Sequence, residues 1–298
     1  MRFAGEFAAL GTAVCWAAGS NFFAAAGRSM GSVVLNRLRI TVACVFLGVA
    51  LTVARGSPWP TWASAPQVGL LALSGLVGFA FGDTYYFRAL VILGPGRAAL
   101  IASLAPVFTA VIGWPVLHET LGPLALVGMA LTVGGIAWVL WEREQKQHAH
   151  VEGSVLVGVV AGVLAALGQA AGYVLSKLAL RTWLDPLSAT VIRIGAAAVG
   201  VWVIALAQGS AARSFEALRD RRASAFMVAG AFCGPFLGVT LSLAALQFIE
   251  AAVAASITAI YPVLTLVLSA RFHGEKLTFR TLTGALVAVG GVVVLFLR

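Results

Sequence analysis

The chain contains one sequence unit twice, and this repeat restricts its fold more than any other feature. Residues 103–140 recur as residues 259–296, with matching positions 156 apart. The matched pairs include two prolines, two glutamates and two Gly-Gly steps: Pro106 and Pro262, Glu119 and Glu275, Gly134-Gly135 and Gly290-Gly291. Further upstream, the same offset relates three small residues in each copy: Ser74, Gly78 and Gly82 to Gly230, Gly234 and Gly238. A fixed period of this kind predicts one structural unit used twice.

The composition places both copies in a membrane. Hydrophobic residues make up 60% of the chain and charged residues only 10%, whereas soluble domains carry about 25% charged residues. The net charge of +9 comes from basic residues in short gaps between apolar runs, as topology signals do. We therefore expect an all-α polytopic membrane protein whose surroundings are the lipid bilayer, with no nucleic-acid partner.

Apolar runs long enough to span a bilayer, about 20 residues each, can be drawn ten times. They lie near residues 5–27, 32–54, 66–88, 95–117, 121–141, 153–177, 187–208, 223–247, 250–271 and 279–297. The predicted organisation is a five-helix repeat over residues 1–141, a linker over 142–152 and a second five-helix repeat over 153–298.

An odd number of spans per repeat has a topological consequence. The second copy enters the membrane from the opposite side, so the two halves form an inverted 5+5 repeat, a plan found in secondary transporters with a substrate site near the midplane. The distribution of Lys and Arg between the two sides predicts both termini outside. Because one chain contains the complete pair, we expect it to function as a monomer.

The repeated motifs resemble those of a known transporter family. Ser103-Leu104-Ala105-Pro106, His118-Glu119-Thr120 and Gly134-Gly135-Ile136 in the first half match Ala259-Ile260-Tyr261-Pro262, His273-Gly274-Glu275-Lys276 and Gly290-Gly291-Val292 in the second. This pattern resembles the EamA-type branch of the drug/metabolite transporter superfamily. Within it, the chain is similar to the YddG-type exporters of aromatic and other neutral amino acids, a likeness that includes residues 81–86. The resemblance implies a ten-helix basket, a central cavity and export across the bacterial inner membrane.

Aromatic and polar residues within the spanning runs suggest the lining of that cavity. Trp16 and Ser20 share one face of the first helix, and Phe79, Asp83 and Tyr86 share one face of the third. The full set of candidate substrate-binding residues is Trp16, Ser20, Asn21, Phe79, Asp83, Tyr86, Gln169, Tyr173, Ser242 and Tyr261. Each residue alone also fits ordinary helix–helix packing. Together they predict a pocket without fixed charge at its centre, suited to a zwitterion with an apolar side chain.

Charged residues inside the runs have alternative interpretations. Asp83 is the only carboxylate well inside a run, and it either pairs with Arg88 or Arg39 or titrates during transport. Arg39 and Arg193 lie near helix starts, where we expect their side chains to extend to the lipid headgroups.

The two repeated glutamates lie at turns. We expect Glu119 and Glu275 to cap the N-terminus of the next helix.

The repeated prolines lie near the middle of their runs. A proline removes one backbone hydrogen bond and weakens a helix locally. Pro106 and Pro262 are therefore either static kinks or a pair of hinges that allows the basket to alternate between outward-open and inward-open states.

Other functional classes lack their motifs. The sequence has no GxxxxGK[ST] loop, no GxSxG elbow and no HExxH motif, so we predict no catalytic residues, no cofactor and no metal. Two alternatives to amino-acid export stay open: an exporter of lipophilic cations, in which Asp83 would bind the cation, and a membrane-embedded enzyme.

Overall fold

The structure, a computed structural model, describes residues 3–93, 98, 101–146, 154–265 and 278–297, apart from the side chains of residues 90, 91, 140, 142–146 and 281. Within these ranges every regular element is a helix. In the first half they are α1 (Ala4–Met30), α2 (Ser32–Arg55), α3 (Ala65–Gly75), π1 (Leu76–Gly82), α4 (Asp83–Leu93), α5 (Ala105–Leu117) and α6 (Pro123–Lys146). In the second half they are α7 (Val155–Leu180), α8 (Pro186–Ala207), α9 (Ala212–Ala217), α10 (Arg221–Ala231), π2 (Phe232–Gly238), α11 (Val239–Phe248), α12 (Ala251–Thr258) and α13 (Phe279–Leu297).

Six helical stretches are long and apolar enough to cross a membrane: Ala4–Met30, Ser32–Arg55, Ala65–Ala89, Val155–Leu180, Pro186–Ala207 and Arg221–Phe248. Shorter apolar helices cover Ala105–Leu117, Pro123–Val139, Ala251–Thr265 and Leu282–Leu297. The chain is therefore a polytopic membrane protein, while the number of ten spans stays a prediction.

The repeat is visible in the helix geometry. Segments π1 and π2, in which the helix winds more widely, begin and end at positions 156 apart. Each packs on the first helix of the other half: a Cβ on Gly172 of α7 would lie 3.4 Å from the Cα of Gly78. Correspondingly, a Cβ on Gly19 of α1 would lie 3.4 Å from the backbone nitrogen of Gly234. At these positions the small residue lets two helix backbones approach each other closely.

Related helices of the two halves run in opposite directions. At the start of α3, Gln67 donates to the carbonyl of Thr182, just beyond the end of α7. At the start of α10, Asp220 accepts from Ser29, at the opposite end of the bundle, where α1 finishes. We call these the Glu119 end and the Asp220 end, since Glu119 contacts Lys177 near the end of α7. Thus α3 starts at the Glu119 end and its counterpart α10 at the Asp220 end.

The last helices of the two repeats form a close pair. A Cβ on Gly135 of α6 would lie 2.4 Å from the backbone nitrogen of Ala288, and a Cβ on Gly291 of α13 would lie 2.4 Å from that of Thr132. Glycine allows the backbones of α6 and α13 to touch.

The fourth and ninth predicted runs are not continuous helices. A turn at Ser103–Leu104 precedes α5, and a turn at Ala259–Ile260 separates α12 from the helical residues 261–265. Pro106 and Pro262 each stand second in the helical stretch that follows the turn. The expectation of a proline in mid-helix is wrong, because proline lacks an N–H and is best tolerated in the first turn of a helix.

Candidate functional site

An aromatic group lies where α1, α4 and residues 261–265 meet. The rings of Trp16 and Tyr261 pack edge to face, with centroids 5.8 Å apart and an interplanar angle of 83°. The hydroxyl of Tyr86 approaches that of Tyr261. Trp16 is fixed from the other side by Gly238 of π2, where a Cβ would overlap the indole ring. Three of the predicted site residues therefore form one wall, built from both halves of the chain.

Asp83 adjoins this wall and pairs with Arg39 of α2. The Arg39 guanidinium also donates from Nε to Asn36 Oδ1 at 2.8 Å and lies 5.1 Å from the centroid of the Phe23 ring. Of the two partners expected for Asp83, the structure selects Arg39, whereas Arg88 is exposed. The expectation that Arg39 reaches the headgroups is wrong. The ion pair leaves no net charge beside the aromatic wall.

Arg193 of α8 lies inside the protein, with 1% of its surface exposed. Its guanidinium is 4.8 Å from the centroid of the Phe79 ring. Atom Nη2 of Arg193 occupies a slot between Gly78 and Gly172. A Cβ atom added to Gly78 would lie 3.2 Å from Nη2, and one added to Gly172 would lie 3.0 Å from it. The expectation that Arg193 extends to the headgroups is wrong, and the structure places this buried charge beside Phe79, one of the predicted site residues. The sequence contained a signal for this burial. Arg193 recurs at a spacing of four with apolar residues that are buried on the same face of α8: Ala189, Ala197 and Val201.

A second polar group surrounds this arginine. Tyr173 of α7 is within electrostatic range of Arg193, and its hydroxyl approaches those of Ser242 and Thr258. Among the described residues, the buried polar side-chain atoms without a hydrogen-bond partner are Tyr173 Oη, Arg193 Nε, Arg193 Nη2 and Thr258 Oγ1. Thr258 was not among the residues expected from the sequence. Its signal is Pro262, four residues later, which marks the helix interruption beside it.

The remaining predicted residues are less closely engaged. Gln169 Oε1 lies 3.5 Å from the Cβ position of Gly78, on the same side as Arg193 Nη2. Ser242 donates to the Val239 carbonyl of its own helix at 2.9 Å. Ser20 and Asn21 are half-buried on α1, where Asn21 Nδ2 donates to the Ala17 carbonyl at 2.9 Å.

A polar network joins the helices at the Glu119 end. Glu119 Oε1 lies 2.7 Å from Lys177 Nζ, and Oε2 accepts from the backbone N–H of Ala251 at 2.9 Å. Lys177 donates to the Ile249 carbonyl, and Arg181 donates to the carbonyl of Leu117. Glu119 thus caps the start of a helix, as we expected. The capped helix, however, is α12 of the other half and not the following helix α6. Glu275 lies outside the described residues.

A separate cleft of about 570 Å³ opens beside this network. It is lined by residues 3–6, 122–125 and 248–250, which include none of the predicted site residues. Within the described part of the chain, no group of three or more His, Cys, Asp and Glu side chains could hold a metal ion.

Comparison with known proteins identifies the family. The sequence model of the EamA-like transporter family matches residues 3–141 and again residues 156–297. A curated relative, described as the uncharacterized transporter YvbV of Bacillus subtilis (strain 168), is 28% identical over 150 residues, which is 49% of this chain and 48% of that protein. The match thus spans about half the length of this relative. A solved crystal structure shares the fold with a TM-score of 0.74 at 18% identity, over 99% of this chain and 96% of that one.

Proposed function

Because the chain belongs to the EamA-like transporter family, we propose that it exports aromatic and other neutral amino acids across the bacterial inner membrane. In this proposal the substrate binds between the two halves, in the space bordered by Trp16, Tyr86 and Tyr261, and the protein alternates access to that space. The family makes the chain a transporter. The substrate class rests on the chemistry of the site.

The observation that carries the proposal is the pairing of Asp83 with Arg39 beside the aromatic wall. An exporter of lipophilic cations needs an anionic group that is available to the cargo, or aromatic faces that can attract it. Here the carboxylate is already engaged by Arg39, and the rings of Trp16 and Tyr261 are packed against each other edge to face. A zwitterion brings both charges itself, and its apolar side chain can pack against the rings.

The helix interruptions supply a means of movement. At Ala259–Ile260 the chain leaves the helix for one turn, and Pro262 cannot donate a hydrogen bond to the Thr258 carbonyl. The equivalent turn at Ser103–Leu104 precedes Pro106. Rotation at these two points would swing α5 and residues 261–265 relative to the α6–α13 pair. The prolines are then a hinge pair, one in each half.

The network at the Glu119 end would act as the closed gate of one state. Glu119 and Lys177 tie α5 and α7 to the start of α12, and both side chains are mostly shielded from solvent. Opening that end requires these contacts to break, and the free energy must come from contacts formed at the Asp220 end and from the cargo.

The test is counterflow in proteoliposomes with labelled phenylalanine, labelled threonine and tetraphenylphosphonium, each with and without an imposed pH gradient. We expect counterflow of both amino acids, with phenylalanine flux falling at least about tenfold in Tyr261→Ala, a loss of roughly 1.4 kcal/mol. Trp183→Ala is the matched control, since Trp183 is exposed at a helix end, and its flux should equal that of the wild type.

Three outcomes decide between mechanisms. Amino-acid flux that persists without the gradient identifies a facilitative carrier. Flux that needs the gradient and loses its pH dependence in Asp83→Asn identifies proton coupling through Asp83. Flux of tetraphenylphosphonium alone, abolished in Asp83→Asn, overturns amino-acid export in favour of a multidrug exporter.

A further inference from the structure

We propose that Arg193, with Tyr173 and Thr258, forms a carboxylate-binding subsite that fixes the carboxyl end of the transported substrate. The inference rests on the proposed function and names the group that the protein recognises. The three residues come from α8, α7 and the end of α12, and they meet beside Phe79 at the interface between the halves.

A buried cation without an anion is costly. The effective penalty for removing an ion from water amounts to several kcal/mol, and charged side chains within membrane segments almost always pair with another group. Arg193 is 1% exposed, yet Nε and Nη2 have no hydrogen-bond partner. Tyr173 Oη and Thr258 Oγ1 are likewise buried, at 6% and 2% residue exposure, and they approach each other without the geometry of a hydrogen bond. Four polar atoms in one region thus lack a well-formed hydrogen bond, and a single acceptor-rich group would satisfy them.

The free atoms of Arg193 have the geometry of a binding edge. The N–H groups of Nε and Nη2 point to the same side of the planar guanidinium, the edge that a carboxylate engages with two parallel hydrogen bonds. One face of the guanidinium is covered by the Phe79 ring, and Nη2 lies in the slot between Gly78 and Gly172. A carboxylate would therefore reach this edge when the two halves move apart during transport. Hydroxyls such as those of Tyr173 and Thr258 can donate to the remaining lone pairs of a carboxylate.

Comparison of the two halves shows which partner is missing. Arg39 and Arg193 occupy corresponding places in the second helix of each repeat. In the first half Arg39 is neutralised by Asp83. The residue 156 positions after Asp83 is Val239, which is buried and apolar. The first half supplies its own carboxylate and the second half does not, which is the arrangement expected if the cargo supplies it.

The position of Asp83 orients the substrate. Its carboxylate is within electrostatic range of Arg193 as well as paired with Arg39, so it lies on the same side of the site. With its carboxylate on Arg193, the substrate would place its α-ammonium group beside the electrically neutral Arg39–Asp83 pair. The side chain then extends towards Tyr86 and Tyr261.

The test compares four ligands on the purified protein by ligand-induced thermal stabilisation. Phenylalanine and hydrocinnamate carry a carboxylate, whereas phenethylamine and phenylalanine amide do not. We expect the wild type to bind the two carboxylates more tightly than the other two ligands. Arg193→Gln should weaken phenylalanine binding at least about 30-fold, the loss typical of truncating a buried hydrogen-bonded charge pair, and change phenethylamine binding by less than about threefold. Arg193→Lys, which keeps the charge but loses the binding edge, should give an intermediate loss.

The matched control is Arg37→Gln. Arg37 is another buried arginine of a spanning helix, but its Nη1 donates to the Ser210 carbonyl at 3.0 Å and to Ser214 Oγ at 2.7 Å. This variant should lose stability while keeping the preference for phenylalanine over phenethylamine. If Arg193→Gln does not fold, Tyr173→Phe and Thr258→Val each remove only one polar atom. Each should then weaken phenylalanine binding about two- to tenfold, the value of one hydrogen bond.

The outcomes separate this inference from the proposed function. Equal binding of phenylalanine by the wild type and Arg193→Gln, or equal binding of phenylalanine and phenethylamine by the wild type, overturns the subsite. If phenylalanine counterflow is then still observed, the amino-acid exporter stands without it. If no amino acid is carried but hydrocinnamate stabilises the wild type and not Arg193→Gln, the carboxylate subsite stands and amino-acid export is wrong.

Discussion

The close pair of α6 and α13 gives a prediction about glycine-to-alanine substitutions. In these substitutions helix propensity favours alanine, whereas packing against the partner helix opposes it. Each helix has two adjacent glycines, one facing the partner and one facing open space. A Cβ on Gly135 would lie 2.4 Å from the Ala288 nitrogen, whereas a Cβ on Gly134 would have no atom within 4 Å. Gly291 and Gly290 repeat this arrangement on α13. Replacing glycine by alanine within a helix is worth roughly 1 kcal/mol by propensity at either position, so the difference within each pair measures the packing cost alone.

That cost follows from the distances. Real Cβ contacts rarely fall below about 3.4 Å, the sum expected for atoms in van der Waals contact, so a methyl group on Gly135 forces the backbones apart by roughly 1 Å. Because the obstacle is backbone, no side-chain rotation relieves it. Overpacking of this kind costs about 1–3 kcal/mol. We therefore expect Gly135→Ala to be less stable than Gly134→Ala by that amount, and Gly291→Ala to be less stable than Gly290→Ala to a similar extent.

The assay is thermal unfolding of the four purified variants in one detergent, followed by tryptophan fluorescence, with chemical denaturation to obtain free energies. Gly134→Ala and Gly290→Ala should unfold at or above the wild-type temperature. A Gly135→Ala protein as stable as Gly134→Ala would refute the direct backbone contact between α6 and α13.

Two further predictions concern the ends of the bundle. At the Glu119 end, Glu119→Gln keeps an acceptor for the Ala251 N–H but loses the ion pair with Lys177, at a cost of about 1.5–3 kcal/mol in unfolding free energy. Glu119→Leu also loses the helix cap and should be less stable by roughly 1 kcal/mol more. Equal unfolding free energies for the two variants would contradict the combined role of Glu119 as ion-pair partner and helix cap. At the Asp220 end, hydrogen bonds from the Ala223 N–H and the Ser29 hydroxyl lower the pKa of the Asp220 carboxyl, so its stabilisation is complete above the unfolded pKa of about 3.9 and disappears as the pH falls through the lower folded value. Asp220→Ala should therefore unfold at a lower temperature than the wild type at pH 7, and this difference should become smaller as the pH falls from about 4 to about 3. A temperature difference that stays the same over that range would contradict this.

The sequence was sufficient for the features that depend on composition and period. Apolar runs of about 20 residues predict spanning helices because a backbone in lipid must satisfy its own hydrogen bonds, and the family follows from the repeated proline, glutamate and glycine motifs. The glycines at spacing four on the third and eighth runs indicated close helix contacts. Those contacts occur at Gly78 and Gly234, each against a glycine of the other half.

Other features depend on geometry that a period cannot supply. Hydropathy does not distinguish a mid-helix proline from one that follows a turn, so the interruptions before Pro106 and Pro262 were not predicted. The winding of π1 and π2 has no compositional signal either. It decides which side chains of the following helix face the site, and Asp83 is the first residue after π1.

The arginines show most clearly where a sequence argument ends. Arg39 and Arg193 have similar positions in similar helices, and treating them alike was reasonable. Their environments differ because Asp83 has no counterpart in the second half, and because Gly78 and Gly172 leave a slot that accepts the Arg193 guanidinium. Whether a charged side chain is buried depends on its neighbours in space. One such neighbour of Arg193 is Gly78, which lies more than 100 positions away along the chain.

The single occurrence of Asp83 bears on why both halves belong to one chain. Two copies of the first half, assembled as an inverted dimer, would contain two Arg39–Asp83 pairs and would treat both directions of the membrane identically. Joining the halves lets one copy lose its acid while the other keeps it, without a partner subunit restoring the symmetry. The covalent link between the halves therefore preserves an electrical asymmetry, which under the proposed carboxylate subsite would hold the cargo in one orientation.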